Sequence, residues 1–185
     1  MDVKVDVTDV IIETQRVILR FWEKSDLDDF YAYASTPGLG EMAGWPHHRT
    51  KWTTRRVLNS FIEGKNVLAI VYRDNNKVIG SVGLNSSWAN EDERYKDLKL
   101  KDVGYALSKD YWGQGLTPEA VKALIDWCFT QTEIEALTCG HFKDNYRSKR
   151  VIEKCGFSFV MEGKYHAKQL NMIIDDAKYI LFRTQ

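Results

Sequence analysis

Apolar and polar residues alternate from Thr14 to Phe21, with Val17, Leu19 and Phe21 on one side, and this period of two predicts an opening strand. The period then lengthens. Leu27, Phe30, Tyr31 and Ala34 recur at helical spacing behind Ser25, which reads as an N-cap with Asp28 three residues on. A Gly- and Pro-rich loop, Pro37 to Pro46, leads to a second helix over Thr50 to Glu63, with apolar positions at Trp52, Val57, Leu58 and Phe61. Two apolar runs follow, Val67 to Tyr72 and Lys77 to Leu84. The turn residues Arg73-Asp74-Asn75-Asn76 between them predict a hairpin.

Asn85 to Lys96 is polar and reads as a loop, and Leu98 to Leu107 as a long strand. Gly104 within that strand marks a bulge or a close backbone approach. Trp112 to Thr117 is a Gly-rich turn that opens a helix, whose apolar face is Ala120, Val121, Leu124, Ile125 and Cys128. Ala136 to Cys139 reads as a strand, Asn145 to Lys154 as a short helix, and Phe157 to Met161 and Asn171 to Phe182 as the final strands. Helices and strands mixed in this order predict an α+β fold around a central sheet. No repeat, low-complexity stretch or linker interrupts residues 1–185, so one domain is expected.

Composition narrows the function. A 44% hydrophobic and 28% charged chain of 185 residues can bury a substantial core. Lys+Arg and Asp+Glu number 26 each, and a net charge of zero offers no basic field for nucleic acid and no reason for a membrane partner. The longest apolar runs are too short to cross a bilayer, and Met1 to Val10 lacks the pattern of a signal peptide. Cys128, Cys139 and Cys155 form no CxxC pair, which predicts reduced thiols in a cytoplasmic protein. No His stands beside them at a ligand spacing, and no metal is expected.

The chemistry concentrates at Leu107-Ser-Lys-Asp-Tyr-Trp-Gly-Gln-Gly-Leu-Thr-Pro-Glu-Ala120. A strand ends, the chain turns through Gly113 and Gly115, and an amphipathic helix begins with Pro118 in its first turn. A helix N-terminus offers unpaired N–H groups and partial positive charge to a phosphate, and glycines let an anion approach the backbone. The same pattern also suits a simple glycine-rich connection with no ligand. A dinucleotide fingerprint is excluded because its third glycine would fall at Pro118, and a P-loop because no Gly-Lys-Ser/Thr follows.

Trp112-Gly113-Gln114-Gly115-Leu116-Thr117 resembles the pyrophosphate loop, Arg/Gln-x-x-Gly-x-Gly/Ala, of the GCN5-related N-acetyltransferase (GNAT) family. Trp112 and Thr117 depart from that pattern, although Trp is frequent at the first position in the branch that acetylates ribosomal-protein alanine and serine N-termini. Thr14-Gln15-Arg16-Val17-Ile18-Leu19-Arg20 resembles that branch's opening strand, and Gly44-Trp45-Pro46-His47-His48 its first loop. Val78 to Leu84 and Val103-Gly104-Tyr105 resemble its third and fourth strands. Asn145, Ser148 and Glu153-Lys154-Cys155-Gly156-Phe157 resemble its Asn-x-x-Ser…Glu-Lys-x-Gly-Phe block. The matches run in the family's order from about Glu13 to Phe157.

The resemblance implies a GNAT-like fold: a mixed, mostly antiparallel sheet of about seven strands with a splayed cofactor cleft, and about four helices. It implies acetyl-CoA as acetyl donor and an amine as acceptor, either a protein N-terminus or a small molecule. Pantetheine would bond the backbone of Tyr105, Ala106 and Leu107 like an added strand. The diphosphate would meet the loop from Trp112 through Gly113, Gln114, Gly115 and Leu116 to Thr117. Asn145 would contact the cofactor, and it suits a helix N-cap equally. Arg150, from a cluster with Lys143, Arg147 and Lys149, would meet the 3′-phosphate, though such charges also suit a solvated face.

Ser148 matches the position implied to protonate the departing thiolate, and a solvated helix serine is the plain alternative. A thiol of pKa about 8.5 leaves with little acid help. The amine must lose a proton, and Asp102, Glu41 and His166 are the candidate bases. The branch's own base, a Glu before the last strand, has no counterpart in Lys168-Gln169-Leu170-Asn171. His47 and His48 suit either the acceptor end of the cleft or a solvated loop. A CoA-binding sensor or scaffold without catalysis stands as the alternative function.

Overall fold

The structure, a computed structural model, describes residues 1–184. Its elements in chain order are β1 (Ile11–Glu13), β2 (Val17–Phe21), α1 (Leu27–Ala34), α2 (Lys51–Gly64), β3 (Val67–Tyr72), β4 (Lys77–Asn85), β5 (Leu100–Leu107), α3 (Leu116–Gln131), β6 (Ala136–Phe142), α4 (Tyr146–Lys154), β7 (Ser158–Ala167) and β8 (Met172–Phe182). The eight strands form one sheet in the order β1-β2-β3-β4-β5-β6-β8-β7. Every neighbouring pair is antiparallel except β5 and β6. The architecture is the expected α+β arrangement, with one strand more than the sequence pattern predicts.

Both faces of the sheet are covered because its central strands are apolar on both sides. α3 lays Ala120, Val121, Leu124 and Cys128 against Val17, Leu19, Val103 and Leu137 on one face, all at most 1% exposed. Phe30 and Tyr33 of α1 and Leu58 of α2 pack with Trp22, Ala69 and Val71 on the other. Each buried Leu or Val contributes about 1.5–3 kcal/mol relative to an exposed one.

The differences from the sequence pattern have local causes. β1 is three residues long, too short to alternate, and it pairs Ile11 to Glu13 with Arg20 to Ile18, so Thr14–Arg16 is a turn and not strand. α1 begins after a 3₁₀ turn over Lys24–Asp26, and the cap is not Ser25. Asp26 accepts the Glu23 N–H at 2.8 Å and a bidentate pair of hydrogen bonds from Arg20, so the charged residue holds this corner. Gly104 makes no bulge: β4 and β5 pair without a slip from Gly80↔Leu107 to Asn85↔Asp102. It is a close approach, since a Cβ there would lie 2.9 Å from Asn85 Nδ2. β7 extends to Ala167 because backbone pairing with β8 continues beyond the core, where Glu162 to His166 show no apolar alternation.

Candidate active site

β5 and β6 pair only at Leu100↔Ala136, Lys101↔Leu137 and Asp102↔Thr138, and then part. The gap opens into a cleft of about 700 Å³ that reaches from the turn before α3 to β8. Its strand wall has a defined hydrogen-bonding pattern. Ser108 N–H bonds Ile79 O of β4 at 2.7 Å, whereas Cys139 Sγ donates to Val103 O at 3.2 Å and the Trp112 indole to Leu107 O at 2.8 Å. Alternation along a strand then turns the peptide groups of Tyr105 and Leu107 to the gap and those of Ala106 to β4. Tyr105 N–H and C=O and Leu107 N–H are the edge groups left for a ligand. Ala106, grouped with them by the resemblance, spends its backbone on the ladder with Ser81.

At the far end of this wall the chain turns into α3. Gly113 and Gly115 both adopt φ of +78°, a left-handed conformation that costs a side-chain-bearing residue about 1–2 kcal/mol. Gly115 is the N-cap and makes no side-chain hydrogen bond, so the first helical N–H groups, those of Leu116 and Thr117, have no side-chain cap. A Cβ at Gly113 would meet nothing within 4 Å, so the turn lies against open space. The residues present therefore fit a diphosphate. The Trp112 ring is covered by the Arg147 guanidinium, 4.7 Å from its centroid, while Arg150 is exposed along the same wall.

Arg16 braces this turn, a role the sequence reading did not assign. Its guanidinium donates to Gln114 O at 2.7 Å and to Glu119 of α3 at 2.7 Å. Burial works against the charge on Glu119. Hydrogen bonds from Thr14, the Arg16 backbone and the Arg16 side chain outweigh it and hold its pKa below the ordinary value. The only signal was the Thr14–Arg20 motif itself.

Across the gap, α4 presents Ser148. Its Oγ lies 2.8 Å from the phenol of Tyr105, which also donates to Ser148 O at 3.2 Å. Burial pushes the Tyr105 phenol well above its usual pKa, so it stays protonated. The sequence marked Tyr105 for its backbone; only the fold shows its hydroxyl on Ser148. Asn145 caps α4, accepting Ser148 N–H at 3.1 Å, and donates to Met42 O at 3.3 Å, which ties the helix to the first loop.

At the opposite mouth of the cleft, Asp102 and Asp176 stand among Lys164, Lys178, His141 and His166. Asp102, on β5 where the strands part, keeps some surface in the cleft and accepts Thr138 Oγ1 at 2.7 Å. Burial pushes its pKa up to about 7, with a further push from Asp176 on β8; Thr138 and Lys178 pull the other way. Glu41 is differently placed. Burial raises it, but hydrogen bonds from the His47 ring and backbone and from Gly38 N–H overcome this and hold it at about 2, a value that makes it a weak proton acceptor. His47 is thereby a loop residue. His48 is buried against Phe30 and Trp45, with Nδ1 2.9 Å from Thr54 Oγ1, and burial lowers its pKa. His166 lies exposed on the rim. Lys168–Leu170 form a 3₁₀ turn between β7 and β8.

Comparison with known proteins accords with this geometry. The family profile of the acetyltransferase (GNAT) domain matches residues 16–158. An uncharacterized N-acetyltransferase, p20, of Bacillus licheniformis is 26% identical over 179 residues, 93% of this chain and 96% of that protein. The crystal structure of a GNAT-family acetyltransferase from Bacillus anthracis superposes with a TM-score of 0.80 at 18% identity, covering 95% of this chain and 100% of that one. RimL, a ribosomal L7/L12 α-N-protein acetyltransferase solved in complex with coenzyme A, superposes with a TM-score of 0.76 at 17% identity, covering 94% and 98%. At such identities the structural likenesses speak for the fold, and the profile match over most of the chain speaks for the family. The chain belongs to the GNAT acetyltransferase family, whose members are acetyl-CoA-dependent acyltransferases.

Proposed function

We propose that this protein transfers the acetyl group of acetyl-CoA to a primary amine, either a protein N-terminus or a small molecule, by direct attack. The observation that carries this reading is the parting of β5 from β6 directly above Asp102, with the uncapped α3 start at one end and Ser148 across the gap. Leu116 and Thr117 N–H, with the turn Trp112–Gly115, hold the diphosphate. Tyr105 and Leu107 bond pantetheine along the strand edge, and Asn145 and Arg150 complete the contacts.

Asp102 takes the proton from the amine, whose nitrogen then attacks the thioester carbonyl. Tyr105 N–H, on the gap side of β5 beside Ser148, meets the oxyanion as it develops. The carbon–sulfur bond breaks as the amide forms; the attacking nitrogen gives up its remaining proton to Ser148 Oγ as that hydroxyl, held by the Tyr105 phenol, hands its own to the thiolate. Three buried free cysteines suit a reducing cytoplasm, and no helix among the described residues is long and apolar enough to cross a membrane.

The test is release of free CoA thiol with a panel of amines and of peptides with free N-termini. Turnover with one class names the acceptor. Tight acetyl-CoA binding without turnover on any of them would replace this reading with a CoA-binding sensor.

A further inference from the structure

Asp176 has no part in the steps above, yet it is the least satisfied charged group of the cleft. It is 6% exposed, it lines the acceptor mouth, and its Oδ1 is buried with no hydrogen-bond partner and no ion pair among the described residues. A buried carboxylate left this way costs several kcal/mol. Burial accordingly raises its pKa, which Lys178 and His141 partly offset.

The neighbouring cations are otherwise engaged. The Lys178 ammonium sits over the Trp88 ring, 5.4 Å from its centroid, and Lys164 pairs with Asp175 at 3.9 Å. Both His141 nitrogens are within hydrogen-bond distance of other oxygens, those of Phe142 and Tyr179. Gly163 of β7 leaves room beside Oδ1: a Cβ there would come within 2.8 Å of Asp176 Oδ1 and 2.7 Å of Lys178 Cε. Trp88, Phe142 and Tyr165 line the same mouth, with the last two rings 5.5 Å apart. A carboxylate in an aromatic-walled recess is a recognition site for an ammonium ion.

We propose that Asp176 receives the acceptor by its positive charge, so that the acceptors are amines that enter the cleft as ammonium ions. Asp176 is a specificity determinant and Asp102 the base: one captures the charged amine, the other removes its proton. This rests on the amine acetyltransferase reading, and it accounts for the two carboxylates that share one mouth.

The test compares wild type with Asp176→Asn and Asp176→Glu. Butylamine, 1,4-diaminobutane and a short peptide with a free N-terminus serve as probes, by steady-state kinetics at saturating acetyl-CoA and by calorimetry with and without CoA. Asp176→Asn is expected to raise the amine KM and Kd about tenfold or more, as loss of a charge-assisted hydrogen bond implies, with acetyl-CoA affinity and melting temperature held or improved and kcat held on the high-pH plateau, where Asp102 is ionised in both proteins. Asp176→Glu is expected to recover part of the loss. An Asp176→Asn protein with amine KM and Kd within about twofold of wild type overturns the proposal, as does a wild type that binds none of the probes. Amine binding that depends on Asp176 in a protein without turnover would sink the catalytic reading and leave this one standing.

Discussion

A carboxylate with a pKa near 7, such as Asp102, is half-ionised at neutrality, a setting that suits the proposed base, which would accept a proton and release it within each cycle. Asp102→Asn should therefore lower kcat by about 10²–10⁴-fold. The wild-type rate should rise with pH through about 7, as the carboxylate ionises, and the variant should lack that limb. Asp176 and Lys178 on β8, Tyr165 on β7, Tyr105 on β5 and Cys139 on β6 all interact with Asp102, so the limb reports their combined field. The same burial has a stability consequence. The carboxyl holds its proton more tightly folded than unfolded, so its cost is absent below about pH 4, grows as the unfolded chain ionises, and is complete above about pH 7. Melting curves should show Asp102→Asn more stable than wild type at pH 8 and equal to it near pH 4. Ser148→Ala removes one hydrogen-bonded donor beside a good leaving group, and should slow turnover about tenfold without abolishing it. A loss of several thousandfold would assign Ser148 a larger role.

Among elements, the start of α3 is the proposed seat of the diphosphate, and two features hold it. The glycines let the chain turn left-handed, and Arg16 clamps the turn to β2 through Gln114 O and Glu119. Gly115→Val adds a β-branched side chain at φ of +78° where the diphosphate must approach, and should weaken acetyl-CoA binding by well over tenfold in calorimetry. Binding as tight as wild type would disprove the diphosphate assignment. Arg16→Ala should act less severely, because the arginine is partly exposed. A few-fold rise in acetyl-CoA KM and a loss of about 1 kcal/mol in unfolding experiments are expected, with amine KM unchanged. α4 works in a similar way: Asn145 caps it and ties it to Met42 O, so Ser148 is held at a fixed helix start.

At the scale of the whole molecule, the cleft exists because one parallel pair interrupts an otherwise antiparallel sheet and is abandoned after three residues. Much of this was legible in the chain. The helical periods of α1, α2 and α3, the β3–β4 hairpin and the turn at Gly113 and Gly115 follow from local patterning and backbone sterics, forces that act between residues near in sequence. The candidacy of Ser148 came from its motif block, and Asp102 was one of three residues, with Glu41 and His166, that the sequence offered as a base. The rest required partners distant in sequence. β1 and the outer half of β7 are strands only because a neighbour pairs their backbone, and no side-chain pattern announces that. Which of Tyr105, Ala106 and Leu107 faces the gap depends on where β4 ends its ladder and β6 departs. Glu41 and Asp102 are both acids in the sequence. Hydrogen bonds from His47 and Gly38 hold one at about 2, and burial, with Asp176 of β8 nearby, lifts the other to about 7 against the pull of Thr138. The chain's own order of apolar and small residues thus determined most of the elements and the glycine turn before α3. Desolvation and long-range pairing, which only the folded chain supplies, decided which residues could do chemistry.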